Sequence, residues 1–443
     1  MGCLIIILLT ALLGLYMAWN IGANDVANSM GCAVGSKSIS IKWAVIAAGI
    51  CEFAGSLLVG AHVTDTVRKG IVDPGTIASL PGLGPAEAPA LLLVGMAAAL
   101  LAAAVWLNVA TWMGMPVSTS HSIVGAVAGY GIIAAGWSAV HWGKMAMIVA
   151  SWFLSPVVGG LLGYVLFKII SRLILGRERP VPAAIAVTPF IVFFIMVVVT
   201  LAIVYKGLKH LAGEGMEWLT GNGAFLVAAG VGLLSALAAR VLIRRALRGK
   251  EDLPLASQLE LVERVFAPLV VVTSCSVAFS HGANDVANAV GPLAAIVDIT
   301  GSCTVKMQVN VPLWVLVLGG FGIVLGLATF GHRVMRTIGT RITQITPSRG
   351  VAAAIAATIT VLVCTRLKLP VSTTHTLVGA VLGIGLARGL AAVNRQVTRK
   401  IFGSWFITVP AAAILAMVFF LLGRALFLES IRDALSQAAP GAG

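Results

Sequence analysis

The chain has 443 residues, 59% of them hydrophobic and only 10% charged, with a mean hydropathy of +1.01 and a formal net charge of +14. A soluble domain carries roughly 25% charged residues, so the composition excludes soluble globular domains and indicates a polytopic helical membrane protein. The basic excess does not indicate nucleic acid, because Lys and Arg fall between apolar runs without aromatic interleaving, and six scattered cysteines imply neither a metal site nor a disulfide framework.

In chain order, the apolar runs predict about twelve transmembrane segments. They lie near 3–19, 43–60, 90–112, 122–136, 145–167, 184–204, 223–243, 265–281, 312–331, 350–366, 376–390 and 401–423. The first reads as a retained span rather than a signal peptide, since it has no basic leader and runs straight into a motif that recurs downstream. The fourth and eleventh are short and Gly-rich, as the arms of a re-entrant hairpin would be. Loops 20–42, 168–183, 240–264, 332–350 and 388–400 hold 20 of the 30 basic residues, which places them in the cytoplasm and both termini outside it. The external loop 61–89 is rich in Pro and Gly, with solvated acids at Asp65, Asp73 and Glu87. Segment 244–264 fits either a short interfacial helix or a solvated linker. The chain thus divides into a first half (1–183), connecting spans with a basic segment (184–264), a second half (265–423) and a tail (424–443).

Two motifs repeat. Gly22-Ala23-Asn24-Asp25-Val26-Ala27-Asn28 returns unchanged at 282–288, and Pro116-Val117-Ser118-Thr119-Ser120-His121 returns as Pro370-Val371-Ser372-Thr373-Thr374-His375. Both copies of the second motif continue into Val-Gly-Ala-Val, at 124–127 and 378–381. From Asp25 to Ser118 the separation is 93 residues, and from Asp285 to Ser372 it is 87. The first copy follows span one and the second follows span eight. That odd offset predicts two inverted halves with broken or re-entrant helices at the midplane, where such folds place substrate and ion sites.

Each motif carries its own chemistry. An Asp at apolar depth is costly and therefore points to function. Asn24, Asp25, Asn284 and Asp285 offer hard oxygen ligands for an alkali cation, with sodium expected at Asp25 and Asp285, or for a proton on the acid. The glycine before each Asn is expected to let the helix break and expose carbonyls. The alternative is a helix-end cap. The Pro-Val-Ser-Thr run reads as a helix start whose free amides and hydroxyls form a donor-rich cradle for an oxyanion. Ordinary capping is again the alternative, and His121 and His375 either orient the hydroxyls or cap. Glu52, inside an otherwise apolar span, is a coupling-ion candidate or a protonated structural acid. Carboxylates beside hydroxyl donors suit phosphate, which can donate a hydrogen bond, better than sulfate, which cannot.

These motifs resemble the inorganic phosphate transporter (PiT) family of sodium- or proton-coupled symporters, as does the stretch Val67–Asp73. The resemblance covers most of the chain and implies a phosphate importer of the cell membrane that is not an enzyme and uses no cofactor, with sodium favoured over a proton as coupling ion. It also implies that Asn24, Asp25, Asn28, Ser118, Thr119 and Ser120, with Asn284, Asp285, Asn288, Ser372, Thr373 and Thr374, jointly hold phosphate and cations, and that Glu52 is functional. The family also includes sulfate permeases, so a sulfate permease of the same fold is the alternative. Many relatives carry a second Glu in the span before the second Ser-Thr motif, where this chain reads Val351-Ala-Ala-Ala-Ile-Ala-Ala, and the large cytoplasmic loop of animal relatives is absent. The expected partners are phosphate, the cation and the bilayer, with a homodimer as a possible assembly and no nucleic acid. A membrane-embedded phospholipid enzyme fits less well, because a symmetric pair of sites lacks one differentiated nucleophile and base.

Overall fold

The computed structural model describes residues 2–69, 71–84, 86–205, 218, 221–305, 309–367 and 371–438. Gly70 and Pro370, the last five residues, and the side chains of Val26, Ala27, residues 61–69 (Asp65 among them), Pro74 and residues 365–366 lie outside the described set. The described residues form helices α1 (Gly2–Gly35), α2 (Ile41–Lys69), α3 (Pro74–Ala78), α4 (Glu87–Trp112), α5 (Thr119–Ala135), α6 (Trp142–Ile170) and α7 (Pro180–Ile203). They continue with α8 (Gly223–Leu247), α9 (Leu255–Asp285), α10 (Ala287–Ser302), α11 (Leu313–Arg336), α12 (Pro347–Arg366), α13 (Thr373–Ala387) and α14 (Arg395–Ala438). Among the described residues the only β pairing is an isolated bridge between Val72 and Val140.

Ten helices in this set are long and apolar enough to cross a bilayer, counting α9 with α10 as one. The two short apolar helices are α5 and α13, which are the fourth and eleventh sequence segments. The outer surfaces of the long helices fit lipid: Leu4, Leu8 and Leu12 line one exposed edge of α1, and Ile46 and Ile50 do so on α2.

Several boundaries differ from expectation. Helix α2 extends to Lys69 and α3 forms within the expected loop 61–89, α10 lies where no segment was expected, and α14 runs through most of the expected tail to Ala438. Helix α1 runs unbroken through the first Asn-Asp motif to Gly35, so 20–42 is mostly helix rather than loop. The second copy is interrupted, but at Val286, between α9 and α10. Segment 244–264 is neither a separate helix nor a linker: it is the end of α8, a turn, and the start of α9.

The two halves interlock by exchange. Helix α1 packs along α11, and its counterpart α9 packs along α2. Likewise α5 lies on α14 while α13 lies on α6, and α1 touches α4 as α9 touches α12. Lipid provides no hydrophobic drive between spans, so association depends on small residues that let backbones approach. A Cβ at Gly22 would run into the carbonyl of Ile323, and one at Gly282 into the carbonyl of Glu52. This close approach, not a helix break, is what the first motif glycine supplies. The same contact identifies Ile323 as the positional image of Glu52, on α11 rather than in the 351–357 stretch.

Candidate functional site

Ser118 is extended and caps α5, its Oγ accepting from the His121 amide at 3.3 Å, and Ser372 caps α13 the same way at 3.2 Å. The expected helix starts are therefore present. In each cap the serine oxygen accepts, and the residues that follow it face the Asn-Asp motifs.

Those residues meet the Asn-Asp motifs of both halves. Thr119 Oγ1 donates to Asp25 Oδ2 at 2.7 Å, and Thr374 Oγ1 reaches Asp25 Oδ1 at 3.3 Å from the other half. Asn28 Nδ2 donates to Thr374 at 2.7 Å and to Asp25 Oδ1 at 3.2 Å. In the mirror arrangement, Asn288 Nδ2 contacts Thr119, Ser120 and Asp285 at 3.2–3.3 Å, and Ser120 Oγ reaches Asp285 Oδ1 at 3.4 Å. Asp25, Asp285, Asn28, Asn288, Thr119 and Thr374 are all buried. The sequence thus brings together, from opposite halves, the residues it singled out.

Several candidates are placed differently. Asn24 spends its whole amide on the run before α5: Nδ2 donates to Thr111 Oγ1 at 3.0 Å and to the Met115 carbonyl at 3.1 Å, and Oδ1 accepts from the Val117 amide at 3.1 Å. It positions the start of α5. Asn284 and Thr373 are half-buried. The rings of His121 and His375 turn away from the hydroxyls into an aromatic layer, edge to face at 4.9 Å, with His375 stacked on Trp405 at 3.7 Å. Neither imidazole orients the cradle.

Sequence reasoning missed His281. Its ring is 1% exposed and sits among three acids: Nε2 lies 2.9 Å from Asp285 Oδ2 and 3.5 Å from Asp25 Oδ2, while Nδ1 lies 3.2 Å from Glu52 Oε1. Ser29 Oγ adds a 3.4 Å contact to the same Glu52 oxygen. The signal was available. His281 stands four residues before Asp285, hence on the same helix face, and the repeat has Ile21 at the matching position. The site is therefore asymmetric, with His281 and Glu52 on one side and Ile21 and Ile323 on the other, all four fully or almost fully buried.

Asp25, His281 and Asp285 place ligand atoms within 4.8 Å of one another. Asn28 Oδ1 and Glu52 Oε2 are buried acceptors without a hydrogen-bond partner. A cavity of about 30 Å³ touches Asn28, Ser280, His281, Thr358 and Thr373.

Paired helix starts and buried carboxylates shared by two related halves, inside a bundle of apolar helices, define a membrane transporter of small ions. Residues 21–416 match the family model described as the phosphate transporter family. The chain is 44% identical over 414 residues to a protein of Thermococcus kodakarensis named as a phosphate permease, covering 94% of this chain and 97% of that one. It is 39% identical over 440 residues to inorganic phosphate transporter 2-1, chloroplastic, of Arabidopsis thaliana, covering 93% of this chain and 71% of the relative. A solved structure of a sodium-dependent phosphate transporter superposes with a TM-score of 0.81 at 38% identity, covering 95% of this chain and all of the other. The chain belongs to the phosphate transporter family, and is an integral membrane transport protein rather than an enzyme.

Proposed function

We propose that the protein imports inorganic phosphate together with a cation, sodium in preference to a proton, through the cluster shared by its two halves, which lie in the membrane with opposite orientations. Charge carries this reading. Asp25, Glu52 and Asp285 converge on one imidazole, so the fully ionised set holds three negative charges against at most one positive. No Lys or Arg among the described residues lies in ion-pair range of them. Buried ions without compensation cost several kcal/mol each, and an arriving phosphate adds more negative charge. Cations must accompany it.

The buried acceptors fit that role. Asn28 Oδ1, Glu52 Oε2 and the Asp25 and Asp285 carboxylates are oxygen ligands of the kind that hold sodium at transporter midplanes. Phosphate is assigned to the first turns of α5 and α13. There the first-turn amides supply donors at the positive ends of two helix dipoles, and a cation that takes over the Asp25 and Asp285 carboxylates frees the Thr119, Ser120 and Thr374 hydroxyls and the Asn28 and Asn288 amides to turn to phosphate beside Thr373. Ser118, Ser372 and Asn24 hold those ends in place. The sodium dependence of the structural relative supports the choice of cation.

Labelled phosphate uptake into proteoliposomes under a sodium gradient, and separately under a proton gradient, tests the assignment. Sodium-driven accumulation above equilibrium is expected. Accumulation driven only by protons would overturn the choice of ion, and uptake abolished by excess sulfate would overturn the choice of anion.

A further inference from the structure

Helix α8 stands apart from the exchanged pairs. It packs on α7 and makes no comparably extended contact with any other described element. Between the two runs a groove of about 1270 Å³ whose chemistry changes along its length. Its upper walls are apolar and exposed: Phe190 (75%), Phe193 (36%), Leu233 (55%) and Leu237 (52%). Its end is formed by Arg240, Arg244, Arg245 and Arg248, with Glu251 at the rim.

We propose that this groove is a binding site for one anionic glycerophospholipid of the leaflet that borders the basic loops. Three observations converge. Leu233, Leu237, Arg240 and Arg244 recur at helical spacing, with Arg248 just past the helix end, so a single face of α8 passes from hydrocarbon-like to cationic. At 1.5 Å rise per residue, Leu233 to Arg248 spans about 22 Å, close to one leaflet of a hydrocarbon core about 30 Å thick plus its headgroup layer. Finally, none of the four guanidinium groups has a carboxylate in ion-pair range among the described residues, although Arg179 nearby is 4.0 Å from Asp252. An acyl chain would lie along Phe190, Phe193, Leu233 and Leu237. The phosphodiester would meet guanidinium donors, whose planar fork suits phosphate oxygens. Snorkelling alone accounts for single arginines at a helix end, but not for four unpaired ones closing one groove. Phosphatidylglycerol carries a net negative charge, whereas the choline cation neutralises phosphatidylcholine, so a cluster of arginines distinguishes the two.

The full-length protein is reconstituted in phosphatidylcholine with spin-labelled phosphatidylglycerol or spin-labelled phosphatidylcholine as probe, and the motionally restricted fraction is measured. The wild type should hold phosphatidylglycerol at least fivefold more than phosphatidylcholine. The variant Arg240→Gln, Arg244→Gln, Arg248→Gln should lose that preference while phosphate uptake persists, since these exposed side chains lie outside the transport cluster. A second variant, Leu233→Trp with Leu237→Trp, fills the apolar part and should lower retention with every arginine present. Equal retention of the two lipids by wild type, or an unchanged preference in both variants, would overturn the proposal. So would displacement of the probe by millimolar inorganic phosphate, or a dimer that dissociates when the arginines are replaced.

Discussion

Removing the imidazole of His281 tests whether three buried carboxylates depend on it. In His281→Ala, Asp285 loses a contact at 2.9 Å, Glu52 one at 3.2 Å and Asp25 one at 3.5 Å, with no Lys or Arg among the described residues to replace them. Deleting one partner of a buried charge pair costs about 3–5 kcal/mol, and the void left behind adds to that. The melting temperature in detergent without sodium should therefore fall clearly below that of the wild type. Sodium should recover part of the loss, because a ligand at a hundredfold its Kd contributes about 2.7 kcal/mol. Adding Asp285→Asn removes one uncompensated acid, so the double variant should be less destabilised than the two single losses combined, with a coupling of about 0.5–3 kcal/mol. A His281→Ala protein that melts with the wild type, or strictly additive losses, would refute this account of the cluster.

Asp25→Asn removes the charge that accepts from Thr119 and Thr374; sodium-driven uptake should drop at least a hundredfold with membrane insertion intact, as measured by flux and by protease protection. Ser118→Ala with Ser372→Ala should lower stability by about 1 kcal/mol per cap and leave the phosphate Km within twofold, whereas Thr119→Val with Thr374→Val should raise that Km; uptake kinetics separate the two. Glu52→Gln keeps shape and removes charge, so the apparent sodium Km should rise more than the phosphate Km in paired titrations. Gly22→Ala places a methyl against the Ile323 carbonyl, and overpacking of about 1–3 kcal/mol should reduce the monodisperse fraction on size exclusion.

Much of the site was legible because it is written twice. The repeated Asn-Asp and Ser-Thr motifs identified both halves, and hydroxyl residues after a proline gave the starts of α5 and α13. Local chemistry failed where packing decides. Gly22 read as the point of a helix break and Asn24 as an oxygen ligand or cap, yet α1 continues through both because Gly22 lets α11 approach and Asn24 satisfies the chain before α5. Nothing in the spacing shows which side of a helix faces the other half. For that reason His121 and His375 stood beside the hydroxyls in sequence but turn to Trp152 and Trp405 in space. His281 was overlooked for the opposite reason: it lies one residue outside the repeated motif, at a position where the other copy has Ile21, so the identity of the two motifs does not point to it.

Simultaneous measurement of radiolabelled sodium and phosphate entry into the same proteoliposomes addresses the shared cluster directly. Phosphate should stimulate sodium entry in fixed proportion, and Asp25→Asn or Asp285→Asn should abolish both fluxes together. Phosphate entry that proceeds with no sodium movement, or that survives in both variants, would contradict the account.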